Sequence, residues 1–110
     1  MRMPYNTGLL SACAVFMAIG FTAGALAQTN SALALDKGCY SCHGSPPRKS
    51  APTFEQLASN YAKYQGQTEA AITLADKLHE EHVFGGVRAH EQLSPESALL
   101  LVRWIIDGAK

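Results

Sequence analysis

The sequence predicts an all-α domain of about four short helices. Apolar residues recur at helical spacing in several segments, N-terminal capping signals precede two of them, at Thr53 and Ser94, and no segment shows the alternating pattern of a half-buried strand. These three observations together favour helices joined by loops.

The first two helices are predicted from their capping residues. Asn30 or Ser31 is expected to cap a short helix that runs into the cysteine-containing stretch. Thr53 with Gln56 three positions later forms a capping box, and Gly66 is expected to end the second helix.

The other two helices enclose a long loop. Thr68 is expected to open a third helix that reaches His82, which would lie on its apolar face near the C-terminal end. Residues 83–93 are predicted to form a loop. Ser94 is expected to cap the last, strongly apolar helix with Pro95 at its first position.

The first 27 residues have the pattern of a secretory signal. Arg2 is their one charged residue, residues 9–27 are uncharged and mostly apolar, and residues 25–27 read Ala-Leu-Ala. The alternative is a retained membrane anchor, since the run approaches the length needed to cross a bilayer. The Ala-x-Ala exit favours cleavage before Gln28 and export to the periplasm, with no stable membrane insertion afterwards.

Residues 28–110 then form one small domain. The full 110 residues less these 27 leave 83, with 8 Lys and Arg against 9 Asp and Glu, a net charge of about −1. This balance does not suggest a nucleic-acid partner. A chain of this size has a marginal apolar core, so a further stabilising element is expected.

The stretch KGCYSCHGS, residues 37–45, carries the most specific chemistry. Cys39, Cys42 and His43 match a redox dithiol, half of a zinc site, or a covalent haem attachment site. A thioredoxin-like dithiol follows a strand, and no strand is predicted here. Zinc needs four ligands at close spacing, whereas His79 lies 36 residues beyond His43.

Haem attachment uses every residue of the motif. Cys39 and Cys42 would each form a thioether with one haem vinyl group, and His43 would then be placed to ligate the iron through Nε2. One covalently bound haem c would also supply the apolar centre that so small a domain lacks. The expected fold is therefore a few short helices packed around one haem.

On these residues, the chain from 28 to 110 resembles a small bacterial class I cytochrome c. The resemblance extends from the Gly-Cys-x-x-Cys-His motif of residues 37–45 to the closing stretch LLLVRWIID, residues 99–107. It implies a cytochrome c-like fold and a single haem.

The resemblance also implies two structural roles. In APTF, residues 51–54, the Pro52 carbonyl would accept the Nδ1 hydrogen of His43 and so orient the ligand, although Ala51 replaces the usual glycine. Gly38 and Trp104 would lie where the first and last helices cross, with the glycine permitting close approach.

The second axial position departs from the family pattern. Class I members usually supply a methionine there, but the three methionines of this chain, Met1, Met3 and Met17, all fall in the signal segment. His90, in the corresponding loop, is the preferred replacement because imidazole is a good iron ligand. His82 is the second choice and an open position is the third.

The resulting expectation is a periplasmic carrier of single electrons between redox partner proteins. It is not expected to be an enzyme, because the sequence has no evident nucleophile or acid/base constellation. The alternative is a haem-based protein that binds or senses a small ligand at an open or weakly held sixth position.

Overall fold

The computed structural model describes residues 29–110, in which all regular structure is helical. The predicted signal segment, residues 1–27, and Gln28 lie outside this range. The α-helices are α1 (Asn30–Asp36), α2 (Tyr40–His43), α3 (Phe54–Tyr61), α4 (Thr68–His79), α5 (Arg88–Glu91) and α6 (Pro95–Ile106), with a 3-10 turn at Ala62–Tyr64. No helix in residues 29–110 is long and apolar enough to cross a membrane. The predicted all-α class is confirmed for this part of the chain.

Helix α6 is the centre of the packing. It contacts α1, α3 and α4, and five of its residues are buried: Ala98, Leu101, Val102, Trp104 and Ile106. The Trp104 ring packs edge-on against Phe54 of α3, with ring centroids 5.0 Å apart. The apolar closing stretch of the sequence therefore forms the core to which the other helices attach.

Side-chain caps define where three of the helices begin. Thr53 and Gln56 form the predicted capping box, and the Ser94 hydroxyl accepts the Ser97 N–H at the start of α6, with Pro95 in the first turn. At α1 the cap is Thr29, whose hydroxyl accepts the Ala32 N–H, and not Asn30 or Ser31. The prediction there was wrong by one or two residues because several capping residue types are adjacent.

Two predictions around the long loop are also wrong. Helix α4 ends at His79, because Glu80 leaves the helical conformation with a ψ of 131°, so His82 is not helical. The polar sequence His-Glu-Glu-His supplies no apolar face to hold another turn against the core. Residues 88–91 were predicted as loop but form α5. Leu93, two residues after this helix, is buried and attaches it to the core.

Gly38 has a different role from the one the resemblance implied. A Cβ at this position would meet no atom within 4 Å, so close helix approach does not require the glycine. The glycine is required instead by its φ of +74°, because this left-handed conformation is strained for other residues. The residue of α1 in the core is Ala34, which is fully buried.

Candidate functional site

An apolar pocket of about 420 Å³ opens between α3, α4 and α6, beside the Cys-x-x-Cys-His stretch. This volume is typical of a pocket for a small molecule or cofactor. Most of its lining is aliphatic or aromatic: Phe54, Leu57, Tyr61, Leu74, Leu78, Leu101, Val102, Ile105 and Ile106. Cys39, His43, Pro52, Lys77 and His90 complete it.

His43, at the end of α2, is oriented by two neighbours. Its Nδ1 lies 2.6 Å from the Pro52 carbonyl oxygen, and its ring lies beside that of Phe54, with centroids 5.5 Å apart. A carbonyl can only accept, so Nδ1 carries the hydrogen and Nε2 is the nitrogen with a free lone pair. The contact therefore sets His43 up as a metal ligand through Nε2.

His90 faces His43 from α5. The two imidazole rings are parallel to within 12°, with centroids 6.0 Å apart. Burial, followed by repulsion between the two imidazoles when both are protonated, lowers the pKa of His90, although Glu91 opposes this shift. This direction favours the neutral form of the half-buried His90, which is the form that can bind a metal.

The two rings lie close enough to serve one bound group. Their centroids are 6.0 Å apart and the rings are nearly parallel, in the arrangement of a stacked pair. A metal between them would require the Nε2 of each ring to point toward it, at about 2 Å. The four further ligands of an octahedral metal would have to come from another group, because residues 29–110 contain no cluster of three or more His, Cys, Asp or Glu side chains. A haem, which brings its own four nitrogens, meets this requirement.

The two cysteines differ in their relation to the pocket. Cys39 lines it, whereas Cys42 is half-buried and does not. Both thiols are free, and burial raises the pKa of Cys39. A redox-active dithiol needs a lowered thiol pKa, so the observed direction does not favour that alternative.

The other two histidines lie away from the pocket. His82, the second choice for an axial ligand, has a side chain 52% exposed and directs its Nδ1 toward Glu91 at 3.8 Å. His79 has a buried Nε2 without a hydrogen-bond partner in the described residues, 3.7 Å from an Asp76 oxygen. Of His79, His82 and His90, the structure brings only His90 to His43 within the described residues.

Lys77 and Tyr61 line the pocket but were not predicted as site residues. Lys77 brings a cationic side chain to the lining and Tyr61 a hydroxyl, so the pocket offers two groups that can hydrogen-bond to an acidic part of a bound molecule. The sequence did hold one signal for Lys77: it lies three residues after Leu74 on α4, and residues at this spacing share a helix face. From the sequence alone, however, a lysine at this spacing is expected on the solvated face of a helix.

Comparison with protein-family models, curated proteins and solved structures gave no match to this chain. Its function is therefore inferred from its own residues and their arrangement.

Proposed function

We propose that this chain is a periplasmic mono-haem c-type cytochrome that carries single electrons between redox partner proteins. The observation that carries the proposal is the pair of parallel imidazoles, His43 and His90, held 6.0 Å apart at an apolar pocket beside Cys39. The haem would be bound by Cys39, Cys42 and the axial pair His43 and His90. Its iron would supply one-electron chemistry by alternating between the ferrous and ferric states.

The protein's contribution is to fix the ligands and exclude water. The Pro52 carbonyl holds the tautomer of His43 and makes Nε2 a better donor, while Phe54 limits rotation of the ring. The aliphatic residues of α4 and α6 give the pocket a mostly apolar wall, which disfavours water. Such a fixed arrangement needs little reorganisation when the charge of the centre changes, which suits a carrier.

A second candidate function is the binding or sensing of a small ligand at the sixth position. The observation that favours it is the place of His90 on a four-residue helix that follows a largely exposed loop, in which Phe84 is 91% exposed. A ligand on so short an element can be displaced more readily than one on a long helix. The carrier requires His90 to stay bound to the iron, whereas the sensor requires a small ligand to displace it.

Mass spectrometry of the exported, denatured protein tests the proposal. We expect the mass of residues 28–110 plus one haem, because two thioethers survive denaturation. Replacing Cys39 and Cys42 by Ser should remove the haem, whereas Cys13→Ser, in the predicted signal segment, should leave the mature mass unchanged. A wild-type mass without haem contradicts the proposal.

Spectra in both oxidation states distinguish the two candidate functions. A low-spin haem in both states that takes up carbon monoxide slowly supports the carrier. A high-spin ferrous form that binds carbon monoxide at once supports the sensor and contradicts axial binding by His90.

A further inference from the structure

The carboxylate of Glu91 connects α5 to the preceding loop. Its Oε1 accepts the backbone N–H of His82 at 3.0 Å and lies 3.8 Å from the His82 Nδ1. The Glu91 side chain is only 21% exposed, unlike the carboxylates of Glu80 and Glu81 on the same loop, which belong to exposed residues. Glu91 is thus folded inward onto the loop.

Gly86 provides the space for this contact. A Cβ at position 86 would overlap Glu91 Oε1 and would lie 3.1 Å from the Cβ of His82. The φ of Gly86 is not in the left-handed region, so the requirement for glycine here is steric and not conformational. The overlapped atom is the end of a flexible side chain, so alanine would displace the carboxylate and leave the backbone in place.

Helix α5 is held at its C-terminal end by two contacts. Leu93, just beyond the helix, is buried, and its N–H donates to the His90 carbonyl at 3.1 Å. Glu91, the last residue of the helix, joins it to the loop at His82. His90, directly before Glu91, belongs to a helix too short to keep its orientation by its own hydrogen bonds.

We infer that Glu91 is a positioning residue. Its hydrogen bond to the His82 N–H, called the Glu91 clasp below, fixes the loop of residues 82–87 against α5. The clasp thereby holds His90 parallel to His43 and keeps the sixth iron position closed. This inference depends on the proposed axial role of His90. In this arrangement His82 acts through its backbone N–H, which donates to Glu91. Its imidazole, the second choice for the sixth iron ligand, is then not needed at the iron. The strength of this Glu91 clasp then sets how often His90 leaves the iron.

Carbon monoxide binding to the reduced holoprotein tests the inference, because the gas can bind only when His90 is away from the iron. Glu91→Ala removes the acceptor, and Gly86→Ala displaces it with Glu91 still present. Both should speed carbon monoxide binding about tenfold, the factor expected for one lost charge-assisted hydrogen bond. Glu91→Gln should speed carbon monoxide binding less than Glu91→Ala, since its amide oxygen can still accept the His82 N–H, although without the charge.

Two controls separate the clasp from other effects. Glu81→Ala removes an exposed charge from the same loop and should not change the rate. His82→Ala removes the imidazole but keeps the backbone N–H, so the rate should change little. A His82→Ala protein that loses its low-spin spectrum would identify His82 as the ligand and overturn both the His90 assignment and the clasp.

Amide hydrogen exchange of residues 80–87 gives a readout that does not depend on haem ligation. Exchange should be faster in Glu91→Ala and Gly86→Ala than in the wild type and in Glu91→Gln. Unchanged exchange would show that the clasp does not exist. Faster exchange with unchanged carbon monoxide binding would show that the clasp holds the loop without positioning His90, which also overturns the inference. A wild-type haem that is high-spin from the outset would instead refute the axial role on which the inference rests.

Discussion

At the residue scale, the two imidazoles at the pocket are held in different ways. The Pro52 carbonyl accepts the Nδ1 hydrogen of His43, which leaves Nε2 as the nitrogen that could bind a metal. Burial, followed by repulsion from a protonated His43, lowers the pKa of His90 and so favours its neutral form. Both effects would reduce the cost of binding the proposed metal.

Replacing His90 by Ala should open the sixth position. We expect the low-spin spectrum of the holoprotein to change to a mainly high-spin or solvent-ligated one, with faster binding of carbon monoxide and cyanide. His79→Ala is the matched control, because His79 lies outside the pocket lining, and its spectrum should remain native. A native low-spin spectrum in the His90→Ala protein would show that another residue binds the iron.

Acid should release His90 from the iron. The ordinary pKa of His is about 6.5, and in the folded chain that of His90 lies lower, so the unfolded chain binds more protons in acid. The contribution of His90 to stability is therefore complete above about pH 6.5 and is lost as the pH falls through its lower folded value. Iron competes with the proton for the same nitrogen and shifts the change further toward acid.

A spectroscopic pH titration measures this change. The low-spin spectrum should persist at neutral pH and be lost with a midpoint below about 6.5. Loss of the spectrum with a midpoint above this value would be incompatible with a neutral His90 held by burial.

At the scale of elements, prediction from sequence succeeded where the signal was local. The capping box at Thr53 and Gln56 and the start of α6 at Ser94 and Pro95 were predicted because a cap involves residues within one turn. Helix α5 was missed because four residues carry too little periodicity to be recognised. The contacts next to this helix are not local either: Leu93 is buried in the core, and Glu91 accepts the His82 N–H from the preceding loop.

The candidate site was predictable to the same extent. Cys39, Cys42 and His43 lie within five residues, so haem attachment could be predicted from the motif alone, and it stays a prediction. The proximity of His90 to His43, 47 residues apart, rested on resemblance and elimination, and the structure places the two rings together. The contact between Glu91 and His82 has no local pattern, because it depends on the course of the loop and on the missing side chain of Gly86.

Loss of the α3 cap should weaken the domain at the element that carries Phe54. Thr53→Ala removes the acceptor for the Gln56 N–H, so the free energy of unfolding of the holoprotein should fall by about 1 kcal/mol. Urea denaturation should give a lower midpoint with an unchanged slope. Ser59→Ala, at an exposed position within the same helix, is the control and should differ little from the wild type. Equal stability of the Thr53→Ala and wild-type proteins would show that the cap contributes nothing.

At the scale of the whole molecule, the described helices enclose a pocket where a larger protein would have a filled core. The buried core contains Phe54, Trp104 and several aliphatic residues, yet no large side chain in residues 29–110 is completely removed from solvent. Many half-buried apolar side chains, among them Leu57, Leu74 and Ile105, line the pocket. Their burial would be completed by the group that fills it, and this gain is proportional to the apolar area covered.

The last prediction follows from the proposal that a haem completes the fold. Replacing Cys39 and Cys42 together by Ser should yield a chain without covalent haem that is largely unfolded, because so small a domain has little stability to spare. Far-ultraviolet circular dichroism should show most of the helical signal lost, and urea should produce no cooperative transition. Cys13→Ser is the control, because it changes a cysteine outside the motif. This variant should keep the helical signal and the cooperative unfolding of the wild type. A double variant that keeps native helicity and unfolds cooperatively would mean that α1 to α6 form a stable domain without haem, and that the pocket is filled or closed by the protein alone.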